Sequence, residues 1–129
     1  MHEITADRQH NRLRIDLSGR MDRSAIEEAA DETVTTAERL REGFDIITDL
    51  SGFKPPSPEA AKPIKRAQSQ LKEMGVDRVV RVVDEETSQV VVTAFERRSK
   101  DIGYSGETAE TVEEATRMLE KQAVSGYSA

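Results

Sequence analysis

The sequence predicts an α/β sandwich, in which an N-terminal β-hairpin precedes alternating strands and helices around a mostly parallel central sheet with about four helices. Three observations predict this class. Apolar and polar residues alternate near the N-terminus, two short runs rich in Val and Ile follow, and segments with helical spacing of apolar residues lie around those runs. Strands that alternate with helices pair in parallel through right-handed crossovers.

The N-terminal hairpin is predicted from a period of two in the hydrophobic pattern. Apolar side chains recur at every second position on either side of the polar segment DRQHN, at Ile4, Ala6, Leu13, Ile15 and Leu17. This alternation is typical of two strands that each bury one face, joined by a polar turn.

The segment from Asp22 to Glu42 is predicted to form the first helix. Its apolar residues recur at intervals of three and four, at Ile26, Ala30, Val34 (or Thr33), Ala37 and Leu40. Ser24 with Glu27 matches a capping box, in which a hydroxyl and a carboxylate bind amides at the helix start. Gly43 is expected to end the helix, because glycine readily adopts the left-handed C-terminal conformation.

Two apolar runs, FDIITDL and DRVVRVV, are predicted to be central strands, the first covered on both faces. A second helix between them has apolar residues at helical spacing and stops at Gly75; these residues are Ala60, Ile64, Ala67, Leu71 and Met74. Pro63 removes one helical hydrogen bond, so we expect a separate turn before the regular helix.

The C-terminal third is predicted to contain a helix, a short edge strand and a closing helix. Residues 88–102 read as a helix, although three consecutive valines favour a strand, and YSGETAE holds the edge strand. Thr111 and Glu114 match a second capping box, and the closing helix buries Val112, Ala115 and Leu119. Residues 1–124 are therefore expected to form one domain, with 125–129 as a flexible tail.

Composition excludes several classes of function. The net charge of −6 and the 4% of aromatic residues argue against nucleic-acid binding, which favours basic surfaces with stacking rings. The chain has no cysteine, no apolar run long enough to span a membrane and no signal-peptide pattern at its start, so we expect a cytoplasmic protein. No catalytic, metal or cofactor motif surrounds His2 or His10, which predicts no enzyme activity and no cofactor.

Charge is segregated between the two helical segments. The segment from Asp22 to Glu42 has seven acidic residues against three basic ones. The segment after the central strand has only Glu59 and Glu73 against five basic residues, which are Lys54, Lys62, Lys65, Arg66 and Lys72. Solvated helix faces are the preferred interpretation, and a docking surface for an acidic protein is the alternative.

Two segments together resemble the STAS superfamily, the domain of sulfate transporters and anti-sigma-factor antagonists, and in particular its SpoIIAA-like branch. LRIDLSGRMDRSAIEEA is similar to the family's strand that ends in glycine before the first helix. DIITDLSGF is similar to its central strand, and TAETVEEATRMLE looks like its closing helix. The resemblance covers nearly the whole chain in element order and implies the STAS sandwich.

The resemblance implies a regulatory protein-interaction module whose partner is another protein, such as a kinase or an anti-sigma-like regulator. In anti-sigma antagonists the central strand leads to an Asp-Ser-Ser-Gly turn, where the partner kinase phosphorylates a serine. This chain has KPPSPEA there, so Ser57 is the candidate phosphoacceptor. Ser57 followed by Pro58 and Glu59 also matches a helix N-cap, and the cap is the preferred interpretation.

The interaction surface is expected at the junction after the central strand and on the helix that follows. The sequence does not exclude a homodimer. Its candidate residues are Asp49, Ser51, Lys54, Ser57, Lys62, Lys65 and Arg66. The alternative function, by analogy with the SpoIIAA-like branch, is a carrier of a small apolar ligand or lipid. It would need a cavity lined by Val91, Phe95 and Ile102, for which plain core packing is the simpler interpretation.

Overall fold

The computed structural model describes residues 1–54, 59–84 and 106–128 of the chain. Five strands form one mixed sheet, in the order β1 (His2–Asp7), β2 (Arg12–Leu17), β4 (Asp45–Asp49), β6 (Val79–Val82) and β7 (Glu107–Ala109). A separate two-stranded sheet pairs β3 (Gly19–Arg20) with β5 (Phe53–Lys54). The helical elements are α1 (Arg23–Ala37), a 3₁₀ turn (Glu59–Ala61), α2 (Lys62–Glu73) and α3 (Val112–Ser128).

The predicted topology is confirmed in its main features. β1 pairs antiparallel with β2, whereas β2, β4, β6 and β7 are all parallel neighbours. β4 lies at the centre of the sheet, and Ile46 pairs with Val79 of the adjacent β6. The short strand expected in YSGETAE is β7 at the sheet edge. The α/β class is therefore shown, with three α-helices rather than about four in the described residues.

Some predictions fall on residues that the structure does not describe. The expected helix over residues 88–102, with the cavity residues Val91, Phe95 and Ile102, lies outside the described part of the chain, and so does Ser57. The single domain over residues 1–124 and the flexible tail at 125–129 also stay predictions.

Helices cover both faces of the sheet and divide the core in two. The larger cluster joins α1 and α2 to one face, where Leu13, Ile46 and Val79 point toward Ile26 and Leu71. The smaller cluster joins α3 to the opposite face through Ile47, Val80, Val82, Ala109, Ala115 and Leu119. Neighbouring residues Ile46 and Ile47 thus serve opposite clusters, which confirms that this strand is covered on both faces.

The start of α1 corrects the predicted capping box. The cap is Asp22, whose extended backbone precedes the helix and whose carboxylate accepts the Ala25 N–H at 2.9 Å. Ser24 is exposed and lies within the first turn, where its hydroxyl is not in the cap position. Asp22, two positions before Ser24, is therefore the N-cap that was predicted at Ser24.

The end of α1 also differs from the prediction. The helix ends at Ala37 and not near Gly43, and residues up to Leu40 continue in tighter turns. The four residues before Thr36 include three β-branched ones, which are poorer helix formers. The Thr33 hydroxyl donates to the Ala29 carbonyl at 2.7 Å, a bond that competes with helix geometry.

The end of α2 and the start of α3 follow their predicted signals. At Gly75, where φ is +94°, the Gly75 N–H donates to the Lys72 carbonyl and the Val76 N–H to the Leu71 carbonyl, which forms a Schellman motif. At α3 the Thr111 hydroxyl accepts the Glu114 N–H at 3.0 Å. The Glu114 carboxylate returns to the Glu110 N–H, one residue earlier than in the standard box.

The observed cap of α1 gives the first prediction. Asp22→Ala should lower the free energy of unfolding by about 0.5–2 kcal/mol, because the Ala25 N–H loses its acceptor at the helix start. Ser24→Ala should change it by less than about 0.5 kcal/mol, as expected for an exposed side chain. Urea titration followed by circular dichroism measures both. A larger loss for Ser24→Ala would contradict the assignment of the cap.

The orientation of α2 gives the second prediction. Leu71 is 2% exposed, and Leu71→Ala should lower the free energy of unfolding by about 2–5 kcal/mol through lost burial and a residual cavity. Lys65 lies on the exposed side of the same helix, and Lys65→Ala should change it by less than about 0.5 kcal/mol. Equal losses in denaturant titration would show that the helix is rotated from the orientation described.

Candidate functional site at the carboxyl ends of the parallel strands

The loops that follow β2 and β4 leave the sheet at the same edge, because these two strands are parallel. The short strands β3 and β5 join the loops: the Gly19 N–H donates to the Gly52 carbonyl at 2.8 Å. Both glycines have positive φ, at +72° and +79°, which side chains rarely tolerate. We call residues 18–20 and 49–54 together the carboxyl-end surface.

Buried apolar side chains fix the backbone of the carboxyl-end surface. Leu50 and Phe53 in the second loop are 0% and 1% exposed, and Met21, directly after the first, is 1% exposed. All three belong to the core cluster beneath α1 and α2. The loops therefore combine an ordered backbone with exposed polar residues, an arrangement that often presents a binding site.

Asp49 and Ser51 form a turn at the end of β4. One Asp49 carboxylate oxygen accepts the Ser51 N–H at 3.0 Å and the Ser51 hydroxyl at 2.5 Å. Asp49 therefore binds a backbone amide within its own turn. Both residues are half-buried, so their role in the carboxyl-end surface is to shape the loop.

Arg20 and Lys54 are the exposed cations of the carboxyl-end surface. They are register partners in the β3–β5 pair, and both are exposed. None of the ion pairs found among the described residues includes either one. The sequence indicates Lys54 but not Arg20, because only the pairing of two remote loops brings these residues together.

The basic side chains of α2 are placed differently from one another. Lys62, Lys65 and Arg66 are all exposed. Lys62 pairs with Glu59 at 3.2 Å, and Arg66 reaches Asp31 on α1 at 2.8 Å. Part of the charge segregation thus serves a contact between the two helices, an interpretation that the sequence analysis did not consider. Arg66 is engaged within the chain, so the candidate surface is centred on the loops and not on this helix.

A small apolar cavity of about 60 Å³ lies between α1, α2 and the sheet. Its walls include Ile15, Ile26 and Leu71, and also the buried polar side chains of Thr48 and Arg81. A water needs at least about 10–15 Å³ of such volume, whereas small-molecule pockets usually measure about 300–1,000 Å³. The cavity has room for a few waters and not for a lipid.

A polar groove of about 650 Å³ lies on the opposite face, between the N-terminal hairpin and α3. Its charges are mostly paired locally: Arg14 with Asp16 at 3.2 Å, and His10 with Asp7 at 2.7 Å. The hydrogen bond from His10 lowers the pKa of Asp7 below its ordinary value. In contrast, the buried Nε of Arg12 has no hydrogen-bond partner.

Each of the two histidines lies beside a carboxylate. His10 is exposed beside Asp7, and His2 contacts Glu32 of α1 at 2.7 Å. Within residues 1–54, 59–84 and 106–128, no group of three or more His, Asp or Glu side chains is arranged to hold a metal ion. Over the same residues, no helix is both long and apolar enough to cross a membrane.

No protein-family model matches the chain, and no curated protein sequence is significantly similar to it. The resemblance to the STAS superfamily therefore depends on the motifs and on the order of elements described above.

The burial of Asp45 at the start of β4 gives a pH-dependent prediction. Burial, with repulsion from Asp77 as the next contribution, raises the pKa of the Asp45 carboxyl above its ordinary value of 3.8. The folded state thus disfavours the charged form, and Asp45 lowers the stability as the pH rises from 3.8 through the raised folded value. Asp45→Asn should therefore raise the melting temperature near neutral pH and have less effect in acid.

Thermal melts between about pH 4 and pH 8 measure this effect. Glu28→Gln, at an exposed position of α1, is the matched control for removing one negative charge from an acidic protein. A gain for Asp45→Asn that does not grow with pH, or that equals the gain of the control, would contradict the raised pKa.

Proposed function

We propose that the protein is a non-enzymatic regulatory module that binds another protein through the carboxyl-end surface, in the manner of anti-sigma-factor antagonists. One observation carries the proposal. Two loops that are remote in sequence are held side by side by the β3–β5 pair, which presents Arg20 and Lys54 over a fully buried base. Such an ordered, charged and exposed surface suits the recognition of a protein partner.

The resemblance to STAS domains supports the same location. In those proteins the regulatory turn follows the central strand, and here β4 is central and ends at the Asp49–Ser51 turn. The adjacent, parallel strands β4 and β6 also support this proposal. Membership of the STAS superfamily is part of this proposal.

Ser57 is the candidate switch within the proposal. It follows Lys54 by three residues and precedes the 3₁₀ turn that begins at Glu59. A phosphate there would lie close in sequence to Lys54 and Lys62, and its charge would change the field that a partner meets. A cap without a regulatory role remains the alternative for this residue.

The carrier function is the weaker candidate. Of the two cavities described above, the apolar one has only about 60 Å³, and the larger groove is lined by charged side chains. Neither has the size and the apolar walls that a lipid needs. The cavity proposed at Val91, Phe95 and Ile102 lies outside the described residues.

Affinity capture from a lysate of the source cell, followed by mass spectrometry, tests the proposed function. The bait proteins are wild type, the loop variant Lys54→Glu, the switch variants Ser57→Ala and Ser57→Asp, and the control Arg39→Glu at an exposed position beyond the end of α1. We expect a protein that wild type and Arg39→Glu retain and that Lys54→Glu loses by about tenfold or more. Ser57→Asp, but not Ser57→Ala, should also weaken its retention if Ser57 is a switch.

Thermal melts of each bait show whether a lost partner reflects unfolding. Equal retention of every captured protein by wild type and Lys54→Glu would contradict the proposed surface. Equal retention by wild type, Ser57→Ala and Ser57→Asp would contradict the switch and leave Ser57 with a capping role.

A further inference from the structure

We propose that the partner docks an acidic segment, rich in Asp or Glu, onto the pair formed by Arg20 and Lys54. This inference rests on the proposed function, which gives the surface but not the chemistry of its partner. The two residues belong to loops 34 positions apart in the sequence and become neighbours only through the β3–β5 register.

The geometry holds two like charges together. Register partners on adjacent strands project their side chains to the same side, and adjacent strands lie about 4.8 Å apart, so like charges on such partners repel each other. Phe53, directly before Lys54, and Met21, directly after Arg20, are both 1% exposed, so the backbone cannot turn the two cations apart. The backbone therefore keeps two cationic residues side by side in a fixed place.

The acidic side chains near these cations in the sequence are engaged elsewhere. Asp22 accepts the Ala25 N–H at 2.9 Å, and Asp49 binds Ser51. Glu59 pairs with Lys62 at 3.2 Å, and Glu27 contacts Arg23 at 3.7 Å. None of these four carboxylates forms an ion pair with Arg20 or Lys54.

An acidic segment is the ligand that this pair fits. A guanidinium binds a carboxylate through two parallel hydrogen bonds, and an ammonium adds a point charge beside it. A carboxylate between them relieves their repulsion as well as forming its own contacts. Because the whole chain has a net charge of −6, such a patch also orients an acidic partner toward this edge of the sheet.

The first experiment tests the pair itself through a double-mutant cycle. Lys54→Glu alone and Arg20→Glu alone should each raise the melting temperature, because each converts a like-charge pair into an opposite-charge pair. The double variant should return toward the wild-type value, since it restores a like-charge pair. Strictly additive shifts would show that the two side chains do not interact, and would overturn the proposal.

The second experiment measures binding of a fluorescein-labelled octaglutamate peptide by fluorescence anisotropy, at an ionic strength of about 50 mM so that screening is weak. Octaserine is the neutral control peptide. The Arg20→Glu/Lys54→Glu variant should bind octaglutamate at least about tenfold more weakly than wild type. The Arg39→Glu/Arg41→Glu variant, with the same change of net charge at exposed positions beyond α1, should stay within about twofold.

Equal loss in both double variants, or no preference of wild type for octaglutamate over octaserine, would overturn the acidic docking site. The peptide assay needs no natural partner, so its result separates the two proposals. A captured partner that Arg20→Glu/Lys54→Glu still retains would contradict the carboxyl-end surface and the acidic site together. A captured partner that this variant loses, without any preference of wild type for octaglutamate, would overturn the acidic site alone. Specific octaglutamate binding without any captured partner would support the acidic site and contradict the proposed function.

Discussion

The structure depends on the burial of β4 on both of its faces. Ile46 and Ile47 are 0% and 2% exposed, and they point into different clusters on opposite sides of the sheet. A strand buried in this way needs a neighbour on each edge, since its amides and carbonyls have no access to water. The parallel neighbours β2 and β6 meet this need, and their direction places the ends of β2 and β4 at one edge of the sheet. The candidate surface exists because of that shared edge.

Ion pairs link the elements that surround this core. Arg66 of α2 contacts Asp31 of α1 at 2.8 Å, and Arg78, just before β6, binds both Glu107 carboxylate oxygens at 2.7 Å and the Met118 carbonyl at 2.9 Å. The Arg66 pair is exposed, and such pairs contribute only about 0.2–1 kcal/mol. Arg78 is 19% exposed and joins two elements at once, so it stabilises the sheet edge more than the helix pair does.

The pattern of apolar residues was sufficient to predict four strands of the main sheet, which are β1, β2, β4 and β6. The alternation of strands with helices after the hairpin predicted the parallel pairing of β4 with β6. The same pattern was insufficient to predict where α1 begins and ends. Asp22 and Ser24 are both good caps, and only the extended backbone at Asp22 distinguishes them. The pairing of Arg20 with Lys54 could not be predicted from the sequence, for a different reason. Two-residue strands have no detectable period, and their register follows from where the longer strands end.

The residues that stabilise the carboxyl-end surface and those that would bind a partner alternate along the chain. Met21 and Phe53 contribute buried area, whereas their neighbours Arg20 and Lys54 contribute charge and no core contact. A like-charge pair on adjacent strands costs stability, and the buried neighbours supply the stability that offsets this cost. The same alternation would make the proposed binding separable from folding, because charge can be reversed at the exposed positions while the apolar base is left intact.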